Sequence, residues 1–164
     1  MPQIHLAKFN NPIYLPATDH WCIFLEDETA GNNRHGIPIS GILFHAAKNC
    51  SSGNGLCCIN NTIYEKRKFS LSKSKSLQSS LKLNDANATE EQIDHACLRV
   101  SNKRSFNLVN KNCQEWVIEV LTDLMGQNLV PNDVLQKMKL EGYSTLAESS
   151  QDSSFSSLPW RQKC

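Results

Sequence analysis

The sequence predicts an α+β fold, a small antiparallel β-sheet packed against a helix that begins with a cysteine. Three observations predict it. Short runs rich in aromatic and branched residues, "HWCIFLED" and "GILFHA", lie in the first half of the chain, separated by turn-forming residues. Segments with apolar residues three and four apart, "ATEEQIDHACLRVS" and "NCQEWVIEVLTDLMG", lie in the second half. Strands grouped ahead of helices, rather than alternating with them, are the pattern of an α+β domain.

The first strand spans residues 20–27. Its alternation puts His20, Cys22, Phe24 and Glu26 on one face and Trp21, Ile23 and Leu25 on the other. "TAGNNRHG" is a turn-rich loop, and residues 39–46 make a second strand that pairs antiparallel with the first. Gly53 and Gly55 mark another loop. The third strand is strongest over residues 62–69, and a serine-rich connection leads to a short strand over residues 77–83. His5, in the segment before the first strand, and His35, in a Gly/Asn loop, are read as solvated.

The first helix follows Thr89, which caps it while Gln92 reaches back, the reciprocal pattern of a capping box. Ile93, Ala96, Cys97 and Val100 form its apolar stripe, and His95 lies off it. The second helix is capped by Asn112 and has Cys113 at its first position. Cys113, Trp116, Val117, Val120, Leu121 and Leu124 share a face, which aims Cys113 inward. Gly126 is the expected stop, and a short helix with Asn132 as its cap follows. One domain over residues 1–147 and a serine-rich, disordered tail over 148–164 complete the expected organisation.

Composition narrows the function classes. The 164 residues carry 17 Lys plus Arg against 16 Asp plus Glu, a net charge of +1, which argues against a nucleic-acid partner. No apolar run approaches the ~18 residues of a membrane span, and no signal peptide is evident. A cytoplasmic or nuclear protein without membrane insertion is therefore expected. Seven cysteines at irregular spacing suit free thiols in a reducing compartment. There is no C-x-x-C pair, and adjacent Cys57 and Cys58 point apart if in a strand, so no metal and no cofactor are expected.

The chemistry centres on Cys113. A thiol at a helix start meets unpaired N–H groups and the positive end of the dipole, both of which favour thiolate. The same groups, at the turn formed by Asn112 and Gln114, can hold an oxyanion. A base is still required. His20 and His45, on neighbouring strands, can share a face, with His20 as base and His45 as its orienting partner. Against this stands the ordinary reading of a cysteine on an apolar helix face, inert core filling.

The segments "HWCIFLED", "GILFHA" and "NLVNKNCQEWVIEVLTDLMGQNLVP" resemble the circularly permuted papain-like thiol enzymes, in which a histidine-bearing strand precedes the cysteine-bearing helix. "NCQEWV" is similar to the asparagine–cysteine helix start of lecithin retinol acyltransferase-like and NlpC-type enzymes and of the PPPDE desumoylating isopeptidases. "LMGQNLVP" is similar to the Leu-x-Gly-x-x-Ile-Pro end of the isopeptidase helix. Across residues 20–131 the chain is most similar to uncharacterised fungal proteins that share the HW, FHA and CQEW motifs. The resemblance implies a permuted papain-like fold with Cys113 as nucleophile, His20 as base and His45 as third member. The implied activity is thiol-dependent hydrolysis of a peptide or isopeptide bond through an acyl-thioester. A lipid acyltransferase, or a non-catalytic interaction module retaining the fold, is the alternative. The partner would be a peptide, a ubiquitin-like protein or an acyl substrate.

Overall fold

The computed structural model describes residues 2–10, 19–48, 62–102, 104–105, 112–145 and 148. In chain order the elements are β1 (Ile4–Phe9), β2 (His20–Glu26), β3 (Gly41–Lys48), β4 (Thr62–Phe69), β5 (Leu77–Leu83), α1 (Glu90–Asn102), α2 (Cys113–Gly126) and α3 (Val134–Leu140). The five strands form a single sheet in the order β4-β3-β2-β1-β5, and every neighbouring pair is antiparallel. The α+β class holds. The loop positions Gly53 and Gly55, the adjacent Cys57 and Cys58, and the serine-rich tail beyond residue 148 lie outside the described residues.

Two apolar layers sandwich the sheet. Trp21, Ile23, Leu25 and Phe44 pack with Ile93 and Cys97 of α1 and with Trp116, Val117, Val120 and Leu124 of α2. Cys22 and Phe24 turn to the other face, where they join Ala7, Phe9, Leu43 and Leu71. Residues 21–25 of β2 thus alternate between the layers, as its sequence pattern predicts.

β1, which no sequence pattern marks, occupies an interior position beside β2. Ile4 and Leu6 enter one layer while Ala7 and Phe9 enter the other. A strand buried on both faces does not show the polar–apolar alternation by which strands are recognised. His5 is consequently buried rather than solvated. Its Nε2 lies 3.1 Å from Glu26 Oε2, and its Nδ1 lies 3.3 Å from the Ser80 hydroxyl.

Smaller corrections follow from local hydrogen bonds. β3 begins at Gly41 rather than residue 39, because Pro38 bridges to Asn32 and Ile39 N–H donates to the Gly31 carbonyl. The capping box of α1 forms, with Thr89 N–H donating to Gln92 Oε1 at 2.8 Å and Gln92 N–H to Thr89 Oγ1 at 3.3 Å. α2 ends at Gly126, but the left-handed turn beyond it is taken by Asn128, at φ 58°. The cap position of α3 is Asp133, not Asn132. Between the helices, Trp116 Nε1 donates to Ser101 Oγ at 2.9 Å, and the Tyr64 ring stacks on Trp116. These contacts fix the rotation of α2 and so the direction of its first turn.

Candidate functional site

The site is built where α2 starts. Asn112 is extended, at φ −86° and ψ −169°, and its side chain accepts from Gln114 N–H and Glu115 N–H. Two of the unpaired donors of the first turn are thereby satisfied. Behind the cap lies Arg104, whose side chain is 2% exposed. Its Nη2 donates to the Asn112 carbonyl and its Nε to Glu119 Oε1, both at 3.0 Å. Gln114 reaches the other way, donating through Nε2 to the Asp19 carbonyl at 3.0 Å.

β2 receives the helix start at an opening in the sheet. The β2–β3 ladder runs from Glu26↔Gly41 only as far as Ile23↔Phe44, while the β3–β4 ladder continues to Lys48↔Thr62. On its other side β2 stays paired with β1 out to Phe9↔His20. The first residues of β2 are therefore free of β3, and the Trp21 N–H turns to the sulfur of Cys113. His20 sits between two residues held by α2, Asp19 by Gln114 and Trp21 by Cys113.

The two predicted histidines come together. Their ring centroids are 5.5 Å apart and the ring planes stand at 87°, an edge-to-face contact. By the alternation of β2 and β3 they share the face of Cys22, Phe24 and Leu43, opposite the face that carries α2. The Cys22 thiol, on the same face as the histidines, is raised by burial and then by the neighbouring Cys113. Among the described residues no hydrogen bond joins Cys113 to either ring.

Burial governs the protonation states. His20 is pushed down to about 4, first by desolvation, then by His45 and by the Arg67 guanidinium. His45 is lowered by desolvation and Arg67, against the pull of Glu65. The Cys113 thiol is raised by desolvation, although the N–H groups of Trp21, Cys113 and Gln114 and the charge of Arg104 all favour its anion. The N–H donors of the helix start favour the anion, as the sequence suggests, but desolvation of the half-buried thiol outweighs them. At neutral pH the site holds a neutral thiol and neutral imidazoles.

Three charged residues at the site escaped the sequence reading. Arg104 lies in a stretch with no periodic pattern, and its bond to the Asn112 carbonyl places it at the helix start. Glu65 and Arg67 sit two apart in β4, so the strand period already puts them on one face. Only the β3–β4 pairing, His45↔Glu65 and Leu43↔Arg67, shows that this face is the one bearing the histidines. Among the described residues no group of three or more metal-ligating side chains is assembled. A cleft of about 490 Å³ lies at the far end of β2, bordered by Glu26, Gly41, Lys68 and Glu90, and includes none of the predicted site residues.

Fold and site define an α+β domain with a cysteine at the start of a helix and a pair of histidines in contact on neighbouring strands of one antiparallel sheet. The chain belongs to DUF6540, a family of unknown function, whose model matches residues 5–131 and so spans His20, His45 and Cys113. No curated protein and no solved structure matches it. Among the described residues no helix is long and apolar enough to cross a membrane.

Proposed function

We propose that the protein is a thiol hydrolase of permuted papain-like type that cleaves an amide, either a peptide or an isopeptide bond. The observation that carries this reading is the bracketing of His20, with Gln114 on the Asp19 carbonyl and Cys113 against the Trp21 N–H. That arrangement sets the sulfur beside the backbone of the residue that would serve as its base. His20 takes the thiol proton as Cys113 sulfur bonds to the carbonyl carbon. The oxyanion is held by N–H groups around the sulfur, those of Cys113 and Trp21, since the Asn112 cap engages the Gln114 N–H. The C–N bond then breaks and the leaving amine takes the proton from His20. Water adds to the thioester, giving the carboxylic acid and the free thiol.

With both groups neutral at rest, the chemistry is general-base assistance rather than attack by a preformed ion pair. If an alcohol or amine of a second substrate replaces water, the same steps amount to acyl transfer, the lipid-directed alternative. A non-catalytic interaction module is the second reading. It is favoured by the missing hydrogen bond between thiol and imidazole and by the raised thiol.

Intact-protein mass spectrometry during incubation with p-nitrophenyl acetate tests the proposal. An acetyl increment on Cys113 is expected, absent in Cys113→Ser and slower to form in His20→Ala. Parallel incubations with a ubiquitin-like vinyl sulfone and a phospholipid ester separate amide from lipid specificity. No Cys113 adduct with any of the three would establish the module instead.

A further inference from the structure

The histidine pair has an acidic neighbour that the mechanism above does not use. We infer that Glu65 is a positioning residue that fixes the His45 ring through Nε2, extending the site to Glu65–His45–His20–Cys113. As a part in catalysis, this rests on the thiol-hydrolase reading. The β3–β4 register places His45 directly opposite Glu65. Residues directly opposite in an antiparallel pair project from the same face with their Cβ atoms about 5 Å apart. The Glu65 Oε2 is 3.4 Å from His45 Nε2, with the His45 side chain 11% exposed and that of Glu65 57% exposed.

Both ring nitrogens of His45 are shut off from solvent and have no hydrogen-bond partner. A neutral imidazole carries one donor and one acceptor, and leaving either unpaired in a buried place is costly. The other groups facing the ring are His20, edge-on, and Arg67, diagonal to it on the same strand face. The Arg67 cation cannot accept a hydrogen bond, which leaves Glu65 as the acceptor among these charged neighbours. Reorientation of its exposed side chain, whose Oε2 is already 3.4 Å away, is what the bond from Nε2 requires. The proton is then fixed on Nε2, and Nδ1 keeps its lone pair. In that tautomer His45 can accept from His20 and orient the base, the part an aspartate plays in a serine triad.

The test is ¹⁵N NMR of the histidine side chains in the whole protein, which does not depend on activity. Wild type is expected to show His45 protonated on Nε2. Glu65→Leu should lose that tautomer preference and move the His45 titration to lower pH, because the carboxylate favours the imidazolium. Glu65→Gln should keep the tautomer, through its amide oxygen, but not the titration. Acetylation of Cys113 by p-nitrophenyl acetate should slow severalfold in Glu65→Leu. An unchanged His45 tautomer and titration in Glu65→Leu overturns the inference. A changed tautomer with an unaltered acetylation rate overturns the catalytic part. If wild-type Cys113 is not acetylated at all, it is the hydrolase reading that fails, and the NMR comparison separates the two failures.

Discussion

The side-chain amide of Gln114 donates to the carbonyl of Asp19, so the second residue of the cysteine helix holds the residue that precedes His20. Gln114 is itself buried, and so is Asn112, whose side chain caps the same turn. Register between helix and strand is thus set by hydrogen bonds at the site itself, in addition to the apolar face of α2.

Gln114→Leu removes the bond while keeping a side chain of similar size. The expected cost is about 1–2 kcal/mol, because a part-buried hydrogen bond is lost. Chemical denaturation checks the stability. The accompanying change expected in the ¹⁵N signals of His20 distinguishes loss of this tether from general loosening. A variant of wild-type stability with unchanged His20 signals would show that the tether is dispensable.

Gly41 opens β3 at its crossing with β2. A Cβ there would lie 2.2 Å from the Leu25 carbonyl oxygen and 2.5 Å from the Phe24 ring. The backbone oxygen cannot move away without disturbing the ladder pair Glu26↔Gly41. Gly41→Ala should therefore destabilise the domain by about 2–3 kcal/mol, as an overpacked core position does. A melting temperature within a degree of wild type would contradict this close approach.

Much of the fold and the site was legible along the chain. β4, β5 and α2 have the bounds their patterns predict, because each presents a clear apolar period or a capping residue. The pairing of His20 with His45 could be read from two strands and a turn. β1 could not, since burial on both faces erases alternation, and the burial of His5 is hidden with it. The protonation of Cys113 was also out of reach. The helix start is visible in the sequence, whereas the burial that overrides it depends on where the sheet opens. Arg104, Glu65 and Arg67 acquire a part only once distant segments are paired.

The depressed His20 sets a pH dependence of stability. In the unfolded chain an imidazole titrates near 6.5, and in the fold His20 titrates at about 4. Between those values the unfolded state binds more protons, so stability falls as pH falls. The loss is absent above about pH 6.5, complete below about pH 4, and amounts to about 3 kcal/mol for a shift of this size. His5 and His45, also lowered, act in the same direction. Urea denaturation of wild type and His20→Gln at pH 7 and pH 4.5 isolates the contribution. The variant should lose less stability on acidification, and parallel losses would refute the burial of a neutral ring.

Arg104 provides the sharpest test of the helix start. Its guanidinium is almost fully buried, and it joins the Asn112 carbonyl to Glu119 while favouring the Cys113 anion. Arg104→Met removes the charge and keeps much of the stem. Glu119 is 44% exposed and can return to water, whereas losing the charge-assisted bond to the Asn112 carbonyl costs about 1.5–3 kcal/mol. The electrostatic loss has a definite sign. A cation near a thiol lowers its titration, and taking it away must raise that of Cys113 further. Iodoacetamide labelling across pH, read on the Cys113 peptide by mass spectrometry, should show the midpoint moving upward in Arg104→Met. Arg104→Lys should move it less, since the charge stays but the two-pronged geometry is lost. A Met variant that remains folded and labels at the wild-type midpoint would show that the guanidinium braces the cap without acting on the sulfur.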